Sequence, residues 1–323
     1  MVSLILNGMK AQLPAVREAV SARRKAGDAF DVLVTWEPGD AAHMAEQAGK
    51  AGVKRLIAGG GDGTVNEVVE GLMRLPREQR PELGILPLGS ANDLATSLGL
   101  PLEAEPALEA AMRLEAYSVD VPRLDDHHYL NMASGGFGAE ITTSTPKTLK
   151  RLLGGGAYSL IGALRAWQYQ LYPGQLEWEG GKRSASLFLL AIGNGVQAGG
   201  GQPLTPAAKL DDGLLDVLVI RDFTGLSQMR QVIAELQSRP QHGEFVDAFR
   251  TTWLTFEGDI DLPLTLDGEP CKRRSFRVEL DPGALSLAVP SDCALLSRER
   301  PARERPETPP QLASRHESRH HGD

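Results

Sequence analysis

Residues 55–67 read RLIAGGGDGTVNE, a short apolar strand that runs into glycines at 59, 60, 61 and 63 and then into a helical pattern. Glycine alone takes left-handed backbone angles without strain and lets a main chain approach a bulky anion. Asp62 and Thr64 are candidates to cap the helix, with Glu67 in its first turn, and the free N–H groups there form an anion site. No Gly-Lys-Ser/Thr follows, so this is not a Walker A loop, and the spacing does not fit the dinucleotide fingerprint. An ordinary strand-to-helix turn is the bland alternative. The interleaved glycine, Asp and Thr favour a phosphate cradle over residues 59–64, continued by Asn66 and Glu67.

A second turn of this kind lies one strand further on. Residues 83–94, LGILPLGSANDL, read as a buried strand followed by the polar stretch Gly89-Ser90-Ala91-Asn92-Asp93 that opens a helix. If the two strands are parallel, both turns sit at the carboxyl end of one sheet, where open α/β sheets bind ligands. Standing alone, Ser90 or Asn92 would read as a helix cap.

Around this pair, residues 3–115 alternate short apolar strands, at 4–6, 32–34, 56–58 and 85–88, with helical stretches at 13–25 and 40–50. The pattern predicts βα units on a mainly parallel, Rossmann-like sheet. Beyond about residue 120 the texture turns to strands, at 176–178, 187–192, 214–220, 253–256, 262–266, 276–280 and 285–289. FRVELDPGALSLAV (276–289) reads as a hairpin turning at Asp281-Pro282-Gly283-Ala284. The expected organisation is an α/β domain over 1–120, a mostly β domain over 121–296 and a tail over 297–323. That tail has too few apolar residues to fold, and its His316, His320 and His321 read as solvated.

The chain has 323 residues, 41% of them hydrophobic, enough for two cores. Its formal charge of −8 argues against nucleic acid as a partner and against general adhesion to anionic lipid. No stretch approaches the ~20 apolar residues of a membrane span, and the first residues lack a signal-peptide layout, so a cytoplasmic protein with at most peripheral membrane contact is expected. Cys271 and Cys293 read as reduced thiols. KTLKRLLGGGAYSLIGALRAWQ (147–168) reads either as an interfacial helix or as a helix covering the second domain; the interruption at Gly154-Gly155-Gly156 favours the latter.

GGGDGT followed by GSAND is similar to the nucleotide-binding pair of the diacylglycerol kinase catalytic-domain family, which includes sphingosine and ceramide kinases. With VTWEPGDA (34–41), NMASGGFGAEIT (131–142), GNGVQAGGGQPLTP (193–206), LDDGLLDV (210–217) and LDGEP (266–270), the set most resembles the bacterial YegS-type lipid kinases, over about residues 2–296. Ser90 stands where the family often has Thr, which keeps the hydroxyl.

The resemblance implies a β-sandwich second domain, nucleotide and lipid meeting between the domains, and a final strand near 290–296 returning to the first domain. It implies ATP contacts at Thr35, Gly61, Asp62, Gly63, Thr64, Val65, Asn66, Glu67 and Ser90. Glu269 would be the general base for a lipid hydroxyl of the phosphatidylglycerol or diacylglycerol class. By its residues alone Glu269 reads as a solvated hairpin tip, presented by Asp267-Gly268 and fixed by Pro270. The acidic turn at 211–213 could hold a hard cation or be a plain hairpin turn. The resemblance implies Mg²⁺ there, with Ca²⁺ the alternative ion, on the Asp212 carboxylate and the Lys209 and Leu214 carbonyls. A second Mg²⁺ would accompany ATP. Two rival readings are a kinase of a soluble acceptor, because NAD kinases and phosphofructokinases share the Gly-Gly-Asp-Gly-Thr turn, and a non-catalytic lipid-binding regulator.

Overall fold

The computed structural model describes residues 1–137 and 170–297. The stretch read as an interfacial or covering helix, and all but the first residue of the expected tail, lie outside the described residues.

The first part alternates as the apolar periodicity requires. β1 (Val2–Leu6), α1 (Pro14–Lys25), β2 (Phe30–Val34), α2 (Asp40–Lys50), β3 (Arg55–Gly60), α3 (Asp62–Met73), β4 (Glu82–Pro87), α4 (Asp93–Ser97) and α5 (Ala104–Arg113) follow one another. The four strands pair in parallel in the order β2-β1-β3-β4. α3 buries Val65, Val68, Val69 and Leu72, a 3–4 residue spacing that puts one stripe on the sheet. It also meets α2 closely: a Cβ on Gly71 would lie 2.1 Å from the Ala42 carbonyl oxygen. Gly71→Ala is therefore expected to destabilise the protein by about 1–3 kcal/mol despite alanine's better helix propensity, read as a lower denaturant midpoint.

The second part is mostly β: β5 (Ala116–Leu124), β6 (His127–His128), β7 (Met132–Gly136), β8 (Tyr172–Trp178), β9 (Gly181–Gly193), β10 (Gln197–Ala198), β11 (Gln202–Pro203), β12 (Leu215–Arg221), helix α6 (Gly225–Ser238), β13 (Val246–Thr251), β14 (Trp253–Leu266) and β15 (Glu269–Ala288). Its core includes Trp178 stacked on Phe249 at 4.4 Å and the Phe256–Phe276 pair at 5.5 Å.

The predicted hairpin at residues 281–284 does not form. β15 runs straight through it, antiparallel to β5 on both sides of a register shift between Asp281 and Leu285, and then parallel to β4 at Leu287. The Asp-Pro-Gly-Ala turn chemistry makes a bulge, with Gly283 at φ 60° and its N–H on the Asp120 carboxylate at 2.7 Å. The same-face apolar residues on either side serve different cores. Phe276 and Val278 fill the second, and Leu285, Leu287 and Val289 fill the first. Re-entry into the first core thus begins at 284. Residues 290–296, expected as the returning strand, form turns that bury Cys293 and Leu295 there. Through β15 one hydrogen-bonded sheet spans both parts among the described residues.

Candidate active site

The two glycine turns lie side by side at the carboxyl ends of parallel β3 and β4. A Cβ on Gly89 would fall 2.6 Å from the Gly61 Cα, and one on Gly61 would fall 3.1 Å from the Gly89 Cα, so the backbones touch where side chains would part them. The Leu88 N–H donates to the Gly60 carbonyl at 2.7 Å. Gly61, extended at φ −87° and ψ −175°, is the N-cap of α3, and no side chain caps that helix. The expected capping by Asp62 and Thr64 is therefore corrected: the helix begins at Asp62, which places both inside its first turn and Glu67 in its second. Gly60 must lack a Cβ because one would meet the Thr64 side chain at 2.4 Å.

Asp62 instead lies toward the start of α4, with the Asp93 and Leu94 N–H groups near its carboxylate. Burial raises its pKa, the charge of Asp93 adds to that, and the N–H groups oppose it. Ser90 is exposed at the tip of the second turn. Asn92 sits at φ 52° and closes that turn on itself, accepting the Gly89 N–H at 2.7 Å, rather than capping α4 with its side chain.

Glu269 reaches this place from the second domain. Leu266 and Glu269 face each other across the β14–β15 hairpin, and Asp267 (φ 49°) and Gly268 (φ 94°) form its two-residue turn. Positive φ at both positions matches the twist of the flanking strands and explains the Asp-Gly sequence. A Cβ on Gly63 would lie 2.4 Å from Glu269 Oε1, so the carboxylate rests directly over the first turn of α3. Between the domains opens a cleft of 730 Å³, lined by Asp62, Gly63, Ser90, Asp93, Gly200 and Glu269 among others.

Asp267, whose role was missed in the sequence, and Asp93, read there as the carboxylate of the second polar turn, shape the same cleft. Asp267 is buried and accepts N–H bonds from Leu130 (2.7 Å), Asn131 (3.0 Å) and Met132 (2.8 Å). Its pKa is pushed up to about 6 by burial, against those bonds. Asp93, also buried, accepts the N–H groups of Gly200 (2.9 Å) and Gly201 (2.7 Å) and pins a turn of three left-handed glycines across the cleft. The GGG at 199–201 was a visible signal for it; an Asp-Gly hairpin gave none for Asp267, since the turn accounts for its own residues.

The diacylglycerol kinase catalytic domain family matches residues 2–124, and the YegS C-terminal NAD kinase beta sandwich-like domain matches residues 131–289. A protein of Chromohalobacter salexigens named "Probable lipid kinase YegS-like" is 58% identical over 92% of this chain and 95% of its own. One of the same name from Yersinia enterocolitica is 42% identical over 91% and 98%. The chain belongs to the YegS-like branch of the diacylglycerol kinase family. Two solved structures from Bacillus anthracis str. Sterne superpose with TM-scores of 0.73 and 0.69 at 25% and 24% identity, covering 90% of this chain and 95% and 97% of theirs; the second is described as a diacylglycerol kinase.

The remaining positions that the YegS-like resemblance singled out fall in three places. Thr35 directly follows β2, its hydroxyl accepting the Gly8 N–H at 3.1 Å, while Asn7 donates to the Thr64 hydroxyl at 3.4 Å, so the β1–α1 loop joins both threonines. Glu67 accepts the Gly39 N–H at 3.1 Å from the β2–α2 loop. Neither Thr35 nor Glu67 lines the cleft. Val65 packs into the first core, and the Asn66 side chain is turned inward to the His128 carbonyl at 2.9 Å, which leaves main-chain groups to meet a ligand at these two positions.

Lys209, Asp212 and Leu214 lie apart from the cleft. The Asp212 carboxylate accepts the Leu214 N–H at 3.1 Å and pairs with Arg250, which also binds Asp216 at 3.0 Å. Asp120 braces this loop through the Gly213 N–H at 2.8 Å. Burial raises the pKa of Asp120, Asp211 and Asp216, and the charge of Asp212 adds to each. Among the described residues no three acidic, His or Cys side chains surround one point. A carboxylate such as Asp212 is a hard-cation donor by type, and here Arg250 neutralises it. No helix among the described residues is long and apolar enough to cross a membrane.

Proposed function

We propose that this kinase-family protein transfers the γ-phosphoryl group of ATP to a hydroxyl of a lipid of the phosphatidylglycerol or diacylglycerol class. The observation that carries this reading is the Glu269 carboxylate resting over Gly63, which brings a proton acceptor from one domain onto the anion-binding helix start of the other. Phosphoryl transfer needs little else from the protein than positioning and charge stabilisation. Main-chain N–H groups of residues 61–64 hold the phosphates, with Ser90 and Thr35 contacting the rest of the nucleotide. Glu269 accepts the proton of the lipid hydroxyl as its oxygen bonds to the γ-phosphorus, and ADP leaves. Mg²⁺ bound with the nucleotide would offset the phosphate charge. The acceptor comes from a membrane surface or micelle on the cytoplasmic side, and nucleic acid is no partner of so acidic a chain.

The test is transfer of labelled γ-phosphate to a panel of lipids in mixed micelles, with NAD and sugar phosphates alongside. Labelled lipid is expected; labelling of a soluble acceptor alone, or ATP binding without transfer, would replace this reading with one of its rivals.

At the loop of Lys209, Asp212 and Leu214 we propose a structural Mg²⁺ or Ca²⁺. Such an ion stabilises the folded state by mass action. Adding millimolar Mg²⁺ after EDTA treatment is expected to raise the melting temperature of the wild type and to leave that of Asp212→Asn unchanged; equal shifts in both would place the ion elsewhere.

A further inference from the structure

Two elements that must cooperate in this reaction hold the same short piece of backbone. On one side stands α3, whose first turn is the phosphate cradle. Asn66 donates to the His128 carbonyl at 2.9 Å, and Glu70, one turn along the same face, accepts the His128 N–H at 2.7 Å and meets its ring Nδ1 at 3.0 Å. On the other side stands the hairpin turn that carries Glu269. Its Asp267 takes the next three available N–H groups, those of Leu130, Asn131 and Met132. The two grips also meet directly, Asn66 Nδ2 to Asp267 Oδ2 at 3.4 Å, in a buried site.

We infer that Asp267, together with Asn66, is a positioning residue that locks the Glu269 turn and the phosphate-loop helix onto residues 128–132 and so fixes Glu269 over Gly63. The inference rests on the kinase reading above and gives Asn66 a role for its side chain distinct from a nucleotide contact. Both carboxylate oxygens of Asp267 are needed. Oδ1 accepts from Asn131 and Met132, and Oδ2 accepts from Leu130 and Asn66, so an amide at this position would set an NH₂ against donors on one side. A displacement of about 1 Å between reacting groups can cost about a hundredfold in rate, so a loosened turn is felt in kcat before it is felt in binding.

The charge state of Asp267 gives a second handle. The ionisable groups that interact with it are Asp62 at the start of α3 and Tyr129 in the gripped segment; Glu269 lies two residues along its own turn. Asp62 raises the Asp267 pKa, and Asp267 in turn helps burial push the Tyr129 phenol well up. Only ionised Asp267 accepts all four bonds, so wild-type kcat should fall as the pH drops through about 6.

The experiment compares wild type, Asp267→Asn and Asn66→Ala in the full chain for kcat, KM for ATP, melting temperature and hydrogen exchange at residues 128–132 and 266–270. Both variants are expected to lose kcat, Asp267→Asn by about a hundredfold, with KM for ATP within about threefold, the pattern of an interaction lost only in the transition state. Both should speed exchange in the two segments together, and Asp267→Asn should lose the acid limb near 6. Unchanged kcat per folded molecule in the two variants, or a lower melting temperature with the pH profile intact, would overturn the inference. Should Asp267→Asn fail to fold, Asn66→Ala decides by the same criteria. A wild type that labels no lipid defeats the kinase reading instead, whereas coupled exchange in the variants still supports the linkage and uncoupled exchange defeats it.

Discussion

Glu269→Gln is expected to lower kcat by about 10²–10⁴-fold while leaving ATP affinity and the melting temperature close to wild type. The size follows from what the carboxylate does: a positioned base supplies about 3–5 kcal/mol of the barrier reduction, and an amide of the same shape cannot take the proton. Binding should survive because Glu269 is exposed at its hairpin tip and carries no part of either core. The shape of the turn should survive as well, since Asp267 and Gly268 set it. The measurement is single-turnover transfer to the lipid together with nucleotide titration on the same preparation. Full activity in the glutamine variant would remove Glu269 from the chemistry and return attention to Asp62, a carboxylate on the cleft whose pKa burial raises. Loss of ATP binding in step with kcat would assign Glu269 to ground-state contact instead.

Much of the framework was legible because local signals and tertiary demands agreed. α2 occupies residues 40–50, as its periodic alanines and flanking glycines require, and the glycine run after β3 occurs where the chain must pass close to another backbone. Legibility failed where one signal serves two structures. Asp-Pro-Gly-Ala can turn a hairpin or bulge a strand, and the choice was made by β5, a partner more than a hundred residues away in sequence. Asp62 and Thr64 looked like caps because cap residues and first-turn residues share a composition, and Gly61 took the cap position. Asp267 stayed hidden for a related reason. Its local role in the turn is complete, and its other role depends on N–H groups 135 to 137 residues distant. The pairing of Glu269 with Gly63 is likewise a contact between domains that no local pattern encodes. The resemblance to YegS-type kinases pointed to both residues, and the geometry supplies the reason they belong together.

Gly89→Ala tests whether contact between the two glycine turns builds the nucleotide site, and it should be damaging although it adds a single methyl group. Gly89 is not held at a positive φ, so its backbone angles are open to alanine; the obstacle is the Gly61 Cα, only 2.6 Å from where the methyl would be, with the Asn92 Oδ1 at 2.7 Å on another side. Neither neighbour can yield cheaply. Gly61 is main chain at the N-cap of α3, and Asn92 is tied to Gly89 by reciprocal hydrogen bonds. Overpacking of this kind costs about 1–3 kcal/mol. Because the strain falls on the turn whose N–H groups are proposed to hold the phosphates, ATP affinity is expected to drop by about tenfold or more, about 1.4 kcal/mol, alongside a lower melting temperature. Gly99→Ala supplies the contrast. It adds a methyl into open space but at φ 72°, so it strains the backbone outside the cleft and should lower stability while ATP affinity per folded molecule is retained. If Gly89→Ala behaved as Gly99→Ala does, the closeness of the two turns would be a matter of packing alone, and the nucleotide would have to be held by the first turn without help from the second.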